Sequence, residues 1–304
     1  MAKNFLTPAE TAQSFIGIGD YKTKMPVPKI IISSFLAGAY IALAAQVMTT
    51  VTHDMAGSFG VGFTSFIGGC VFGIALVLVL IAGSDLFTGN CLLSMGWLNG
   101  NLTSKQVLNN WGLVYAGNFI GCLFLVWMMY TSGIWDAHGS QIGAHAVAIA
   151  YKKTQLTFLE AFVRGMGCNW LVCLAVVIVA AGQDTMGKIL GAWFPVMVFI
   201  ASGFEHCVAN MFIIPAGIIA SLDPAIAKVV ISLHPTWDIS SLNVQAFLYN
   251  NLLPVTLGNI VSGAVLVGGV YWYLYVKGSK ETSKEPQKAE QTGFQAAKLG
   301  RKQS

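Results

Sequence analysis

The chain has 304 residues, of which 55% are hydrophobic and only 10% are Asp, Glu, Lys or Arg. A soluble domain carries about 25% charged residues, so too few are present to cover a water-soluble globule of this length. The hydrophobicity excludes disorder over most of the chain, and the composition is that of an integral membrane protein.

In chain order, Thr7, Pro8 and Glu10 form a helix start, with an N-cap, a Pro in the first turn and a Glu closing a capping box. Ala9, Ala12, Phe15 and Ile16 then recur at helical spacing, and Gly17 and Gly19 are expected to end the pattern. This predicts an amphipathic helix and linker over 1–28, lying at the membrane surface. The first long apolar run begins only near Ile30, so no secretory leader is expected.

Six apolar segments follow, near 30–51, 61–98, 110–131, 156–181, 189–221 and 250–276. A simple crossing needs about 20 residues. The second and fifth segments are much longer and carry acidic and small polar residues in their middles. Each is predicted to be two half-helices joined by a break at membrane depth, which survives only inside protein or beside a water-filled cavity. The six cysteines lie in apolar surroundings without CxxC spacing and read as packing residues, so neither a metal nor another cofactor is expected.

The net charge of +4 resides in the tail 277–304, which holds seven basic and three acidic residues. It reads as a solvated segment near anionic lipid rather than a nucleic-acid binder. With the N-terminus inside and six crossings, the inner side holds Lys3, Lys22, Lys24, Lys29, Lys105, Lys188 and the tail. The outer side holds Lys152, Lys153 and Lys228. This bias predicts a multi-pass protein of the cell membrane, plasma or inner, with both termini cytoplasmic.

The two halves of the channel region 29–276 repeat each other over 29–131 and 156–276. Asn109-Asn110 precedes Gly117-Asn118 as Asn250-Asn251 precedes Gly258-Asn259, and Gly83, Asp85 and Asn90 align with Gly203, Glu205 and Asn210. Three crossings per half turn the second copy upside down. Inverted repeats with broken helices are a transport architecture. Asp85, Asn90, Glu205 and Asn210 would satisfy backbone groups freed by the breaks, the reading preferred over a direct role because both halves keep them. The differences between the halves say more about substrate. His206 aligns with Leu86, and Thr88 aligns with Val208. An imidazole, with an ordinary pKa of about 6.5, suits proton exchange near neutrality. Thr88 is equally a backbone cap or a pore hydroxyl. Lys152 and Lys153 stand before the fourth crossing, either as snorkelling interfacial lysines or as cations at a pore mouth.

At these residues the chain resembles the formate/nitrite transporter family. The matching stretches are AGSDLFTGN at 82–90, GCNWLVCLA at 167–175, ASGFEHCVANMF at 201–212 and NNLLPVTLGNIVSG at 250–263, and the resemblance runs from about residue 5 to 276. It implies an all-α membrane protein whose aquaporin-like protomers assemble as a homopentamer. Each protomer would be built of two inverted three-helix repeats and pass formate, nitrite or hydrosulfide. It further implies that His206 is the central pore histidine and Thr88 the threonine of the interrupted second helix. Lys153 becomes the outer-vestibule lysine and Asn169 the pore asparagine beside it. Phe72, Leu76, Val172 and Phe199 fall at the outer apolar constriction and Leu86 at the inner one. Lys153 would draw the anion in, Asn169 and Thr88 would orient it, and His206 would lend a proton or a positive potential.

A water channel is a poor rival, because no Asn-Pro-Ala motif is present. A membrane-embedded enzyme would need a nucleophile–base pair, and His206 beside Glu205 is thin for that, since adjacent helical residues point about 100° apart. Within the family, the FEH and PVTLGN runs lean towards formate, whereas CNWLVCLA and SGAVLVGGVYWY look closer to the nitrite type. Formate moving with a proton is the favoured expectation.

Overall fold

A computed structural model describes residues 5–278. The first helix, α1 (Pro8–Lys24), opens with the expected Thr7–Glu10 capping box. It does not stop at Gly17 and Gly19. A glycine costs only about 1 kcal/mol inside a helix, and Gly19 lies against Leu93 and Leu102. Nor is the apolar face of α1 left for lipid: Ala12, Phe15 and Ile16 are buried in one cluster with Cys91, Leu92, Met95, Val177 and Val276.

The crossings are α2 (Val27–Thr52), α3 (Met55–Ile81) continued by α4 (87–98), and α5 (Ser104–Thr131) in the first half. In the second half a helix absent from the sequence reading comes first, α6 (Ala137–Thr154). The crossings there are α7 (Phe158–Ala181), α8 (Thr185–Ala201) continued by α9 (Cys207–Ser221), and α11 (Ala246–Val276). The short α10 (Pro224–Leu233) leaves α9 at 100° and lies outside the crossings. Helix α6 escaped the apolar pattern because alanine and glycine carry much of its buried face. It packs on α9, while α1 packs on the end of α4, so α6 is the counterpart of α1 in the inverted copy. The tail lies outside the described residues beyond Gly278.

Both breaks are built alike. Gly83 (φ 86°) and Gly203 (φ 72°) adopt the left-handed conformation that glycine takes without strain. The chain then turns so that Ser84 N–H donates to the Val79 carbonyl (2.9 Å) and Phe204 N–H to the Phe199 carbonyl (3.1 Å), a glycine-terminated helix end in each half. The next N–H groups reach the neighbouring crossing, Asp85 to Ser33 O (3.4 Å) and Glu205 to Arg164 O (3.2 Å).

One asparagine per half then closes the account. Asn118 Oδ1 accepts from Phe87 N–H (2.9 Å), and its amide donates to the carbonyls of Ser34 (2.7 Å) and Asp85 (2.9 Å). Asn259 Oδ1 accepts from Cys207 N–H (3.0 Å), and its amide donates to the carbonyls of Gly165 (2.7 Å) and Glu205 (3.1 Å). Both asparagines are completely buried. Beyond the breaks the half-helices change partners. Helix α4 packs on α7 and α11 of the other half, and α9 packs on α2 and α5. The breaks therefore sit where the two halves meet.

Asn118→Ala and Asn259→Ala should each orphan two buried backbone groups, Phe87 N–H with the Asp85 carbonyl and Cys207 N–H with the Glu205 carbonyl, at about 1–3 kcal/mol apiece. Thermal unfolding of the purified protein in detergent should shift down by several degrees in both variants. A wild-type midpoint in either would show that the break does not depend on its asparagine.

Candidate functional site

Three spaces line up through the protomer. On the α6 face, a vestibule of about 290 Å³ is lined by Lys152, Lys153, His145, Glu205, Phe199 and His206, among others. On the α1 face, a vestibule of about 210 Å³ is lined by Lys22, Lys188, Ser84, Leu76, Val79 and Leu86, among others. Between them lies a chamber of only about 10 Å³, enclosed by Phe72, Leu76, Leu86, Val172, Phe199 and His206 with Ile41, Ala75 and Val196. That is roughly the space of one water, so a hydrated ion does not fit without shedding its shell.

All five apolar residues picked from the sequence therefore face the chamber. Their order along it differs in one respect. Phe72 and Phe199 meet edge-on, with ring centroids 6.0 Å apart, and Phe199 also borders the α6-side vestibule. Leu76, expected beside them, borders the α1-side vestibule together with Leu86. Four residues at about 1.5 Å per residue carry it roughly 6 Å beyond Phe72, far enough to cross the chamber.

The two residues in which the halves differ come together here. Thr88 Oγ1 and His206 Nε2 lie 2.9 Å apart, both buried, one at the first turn of α4 and the other at the N-cap of α9. His206 Nδ1 accepts from the Ala209 N–H (3.1 Å), so this side chain caps α9 while Leu86, its counterpart, makes no side-chain cap on α4. An acceptor at Nδ1 places the proton of the neutral ring on Nε2. The ring then donates to Thr88, leaving the threonine proton free for another acceptor.

Asn169 sits directly behind this pair. Both its amide protons go to backbone carbonyls, of Thr88 (3.3 Å) and Asn259 (2.7 Å), so it holds the Thr88 backbone and has no free donor to offer.

Asp85, Asn90, Glu205 and Asn210, expected to satisfy backbone groups freed by the breaks, bond through their side chains only to other side chains, because Asn118 and Asn259 already take those backbone groups. Lys153 Nζ lies 2.8 Å from Glu205 Oε1, while Asn210 (2.7 Å) and Asn251 (3.2 Å) donate to Oε2 of the same carboxylate. Across the pseudo-twofold, Lys22 Nζ lies 2.7 Å from Asp85 Oδ1 and donates to Asn90 Oδ1 (2.6 Å), and Asn90 in turn donates to Asn110 (2.9 Å). Asn110 and Asn251 each reach back to the backbone carbonyl of the lysine on their own side. Sequence reasoning missed Lys22. A signal exists: Lys22-Thr23 stands ahead of the first crossing as Lys153-Thr154 stands ahead of the fourth. Both carboxylates are about 95% buried, and removing one partner of such a pair costs about 3–5 kcal/mol.

Comparison with known proteins shows the family. The family described as formate/nitrite transporter matches residues 9–273. A probable formate transporter of Methanothermobacter thermautotrophicus is 41% identical over 292 residues, covering 91% of this chain and 100% of that protein. The formate channel FocA of Escherichia coli K12 is 37% identical over 277 residues, covering 90% of this chain and 96% of that one. A solved pentameric formate channel with formate bound is similar at a TM-score of 0.72 and 36% identity, covering 83% of this chain and 98% of its own. The chain thus belongs to the formate/nitrite transporter family, and it is a multi-pass membrane transport protein rather than an enzyme.

Proposed function

We propose that this protein is a channel for small monovalent anions, with formate as its substrate, assembled as a homopentamer in the cell membrane. Its α1 face and both termini are cytoplasmic. The observation that carries the reading is His206, bonded to Thr88, at the wall of a chamber that is otherwise apolar. The similar proteins named above are formate transporters and channels, which supports formate over nitrite.

A bare carboxylate pays a large desolvation penalty in such a chamber, and its neutral acid pays far less. Lys153 uses one of its three donors on Glu205, and the others receive the anion at the vestibule floor. Thr88 and His206 then offer the donors that replace water in the chamber. Asn169 serves through Thr88, whose carbonyl it holds. Phe72, Leu76, Leu86, Val172 and Phe199 around the chamber exclude the hydration shell.

His206 exchanges a proton with the permeating species, and the cap sets the terms of that exchange. A proton on Nδ1 must displace the Ala209 N–H, so the imidazolium forms only as the start of α9 loosens. Proton coupling is thereby tied to a small opening of the break.

Flux into proteoliposomes tests the substrate. Formate should move faster than nitrite or hydrosulfide, and an inward proton gradient should speed it. A lead for nitrite or hydrosulfide would keep the channel and overturn the substrate.

The central pair has its own test. Thr88→Val, which copies the residue at 208, should lower formate flux about 10-fold or more, the equivalent of one hydrogen bond to a charged group. His206→Phe should abolish proton-linked uptake, and unchanged uptake from mildly acidic medium would remove the histidine from the mechanism.

A further inference from the structure

The two lysines closest to the breaks are electrically spent. Lys22 and Lys153 each lie within 2.8 Å of a buried carboxylate, so each pair adds almost no net charge to its vestibule. Each vestibule nevertheless contains a second lysine: Lys188 on the α1 side and Lys152 on the α6 side. Among the described residues neither ammonium has a hydrogen bond or an ion pair.

The acidic neighbours of Lys188 are committed elsewhere. Asp184, one turn before it, accepts from the Gly187 N–H (2.7 Å) as the cap of α8. Asp85 holds Lys22, and Asp20 holds Lys24 (2.8 Å). The stem of Lys188 lies over Gly182, where a side chain would crowd it, and Lys188 lines the same cavity as Leu86 and Asn90.

On the opposite face Lys152 is exposed and follows Tyr151, whose ring stacks on Trp237 at 4.4 Å. Glu205 is taken by Lys153. His145, on the same wall, is held down to about 4, by burial first and then by the fields of His53 and Lys152. It therefore adds no charge near neutrality.

We propose that Lys152 and Lys188 are the anion-gathering residues, one for each vestibule, and that they supply the long-range attraction which the paired Lys153 and Lys22 cannot. An unpaired cation in a cleft with low-dielectric walls raises the local concentration of a small anion, and salt weakens the effect. A carboxylate-paired lysine presents only a dipole, whose field falls off faster. The division of labour is that Lys152 and Lys188 collect and the inner pair passes on. The inference rests on the anion-channel reading above.

The test uses the full-length protein in right-side-out and inside-out membrane vesicles, with formate as the probe. Lys152→Gln should raise the half-saturating concentration about 3- to 10-fold at low ionic strength for entry from the α6 face only. Lys188→Gln should do so for entry from the α1 face only. Each should raise that concentration more than it lowers maximal flux, each should flatten the salt dependence, and arginine should rescue both. Wild-type half-saturation and salt dependence on both faces of both variants would overturn the inference while leaving the channel intact. Failure of the wild-type protein to move formate, nitrite or hydrosulfide would instead overturn the functional reading, and this inference with it.

Discussion

A helix interrupted inside a bilayer leaves N–H and carbonyl groups where no water can take them. Everything distinctive in this fold answers that constraint. Gly83 and Gly203 let the first half-helices close on themselves. Asn118 and Asn259 then supply one acceptor and two donors each, reaching backbone on two segments at once. Their neighbours must come close for this to work, which is why Gly117 and Gly258, the residues before them, are themselves packed against other helices. The breaks are thus held by the crossings around them. A pathway with polar groups at membrane depth becomes possible only because those groups are over-determined by partners.

The inverted repeat gives the scaffold, and departures from it give the site. Symmetry would place Leu86 opposite a leucine and Thr88 opposite a threonine. Instead His206 and Val208 stand in the second copy. The consequence is one polar contact, Thr88 to His206, rather than two or none. The histidine gains a second task as the cap of α9, a task Leu86 cannot perform. Its tautomer and its orientation are therefore set by the same hydrogen bond that starts the half-helix. The histidine is thus held by the start of its own half-helix, and the threonine by Asn169 behind it.

Much of this was legible in the sequence because it is local or repeated. The breaks show as acidic and glycine residues inside apolar runs, and the site shows as a mismatch within the repeat. What was not legible depends on long-range approach. Nothing near Lys22 in the chain marks Asp85, 63 residues away, as its partner. Asn169 offers both donors and acceptors, and only the packed structure reveals that its donors face the backbone of Thr88 and Asn259. Helix α6 was hidden by its small residues, and the length of α1 by a glycine that a helix tolerates. Leu76 lines the chamber with Phe72 as expected, and its reach to the α1-side vestibule as well is visible only in the folded chain.

The arrangement of charge follows from the need to let go of what is caught. Two unit charges 4 Å apart attract by about 4 kcal/mol at an effective dielectric of 20, enough to slow release roughly a thousandfold. A bare buried lysine at the floor of each vestibule would therefore trap an anion beside the narrowest part of the path. Conduction needs binding that is favourable enough to enter and weak enough to leave. Pairing Lys153 with Glu205 and Lys22 with Asp85 keeps donors at the floor while removing most of the net charge. In the scheme proposed above, the remaining positive charge is that of Lys152 and Lys188, which concentrates the anion without holding it at the floor. The same pairs tie α1 and α6 to the two breaks, so the device that moderates binding also fastens the helices that frame each mouth.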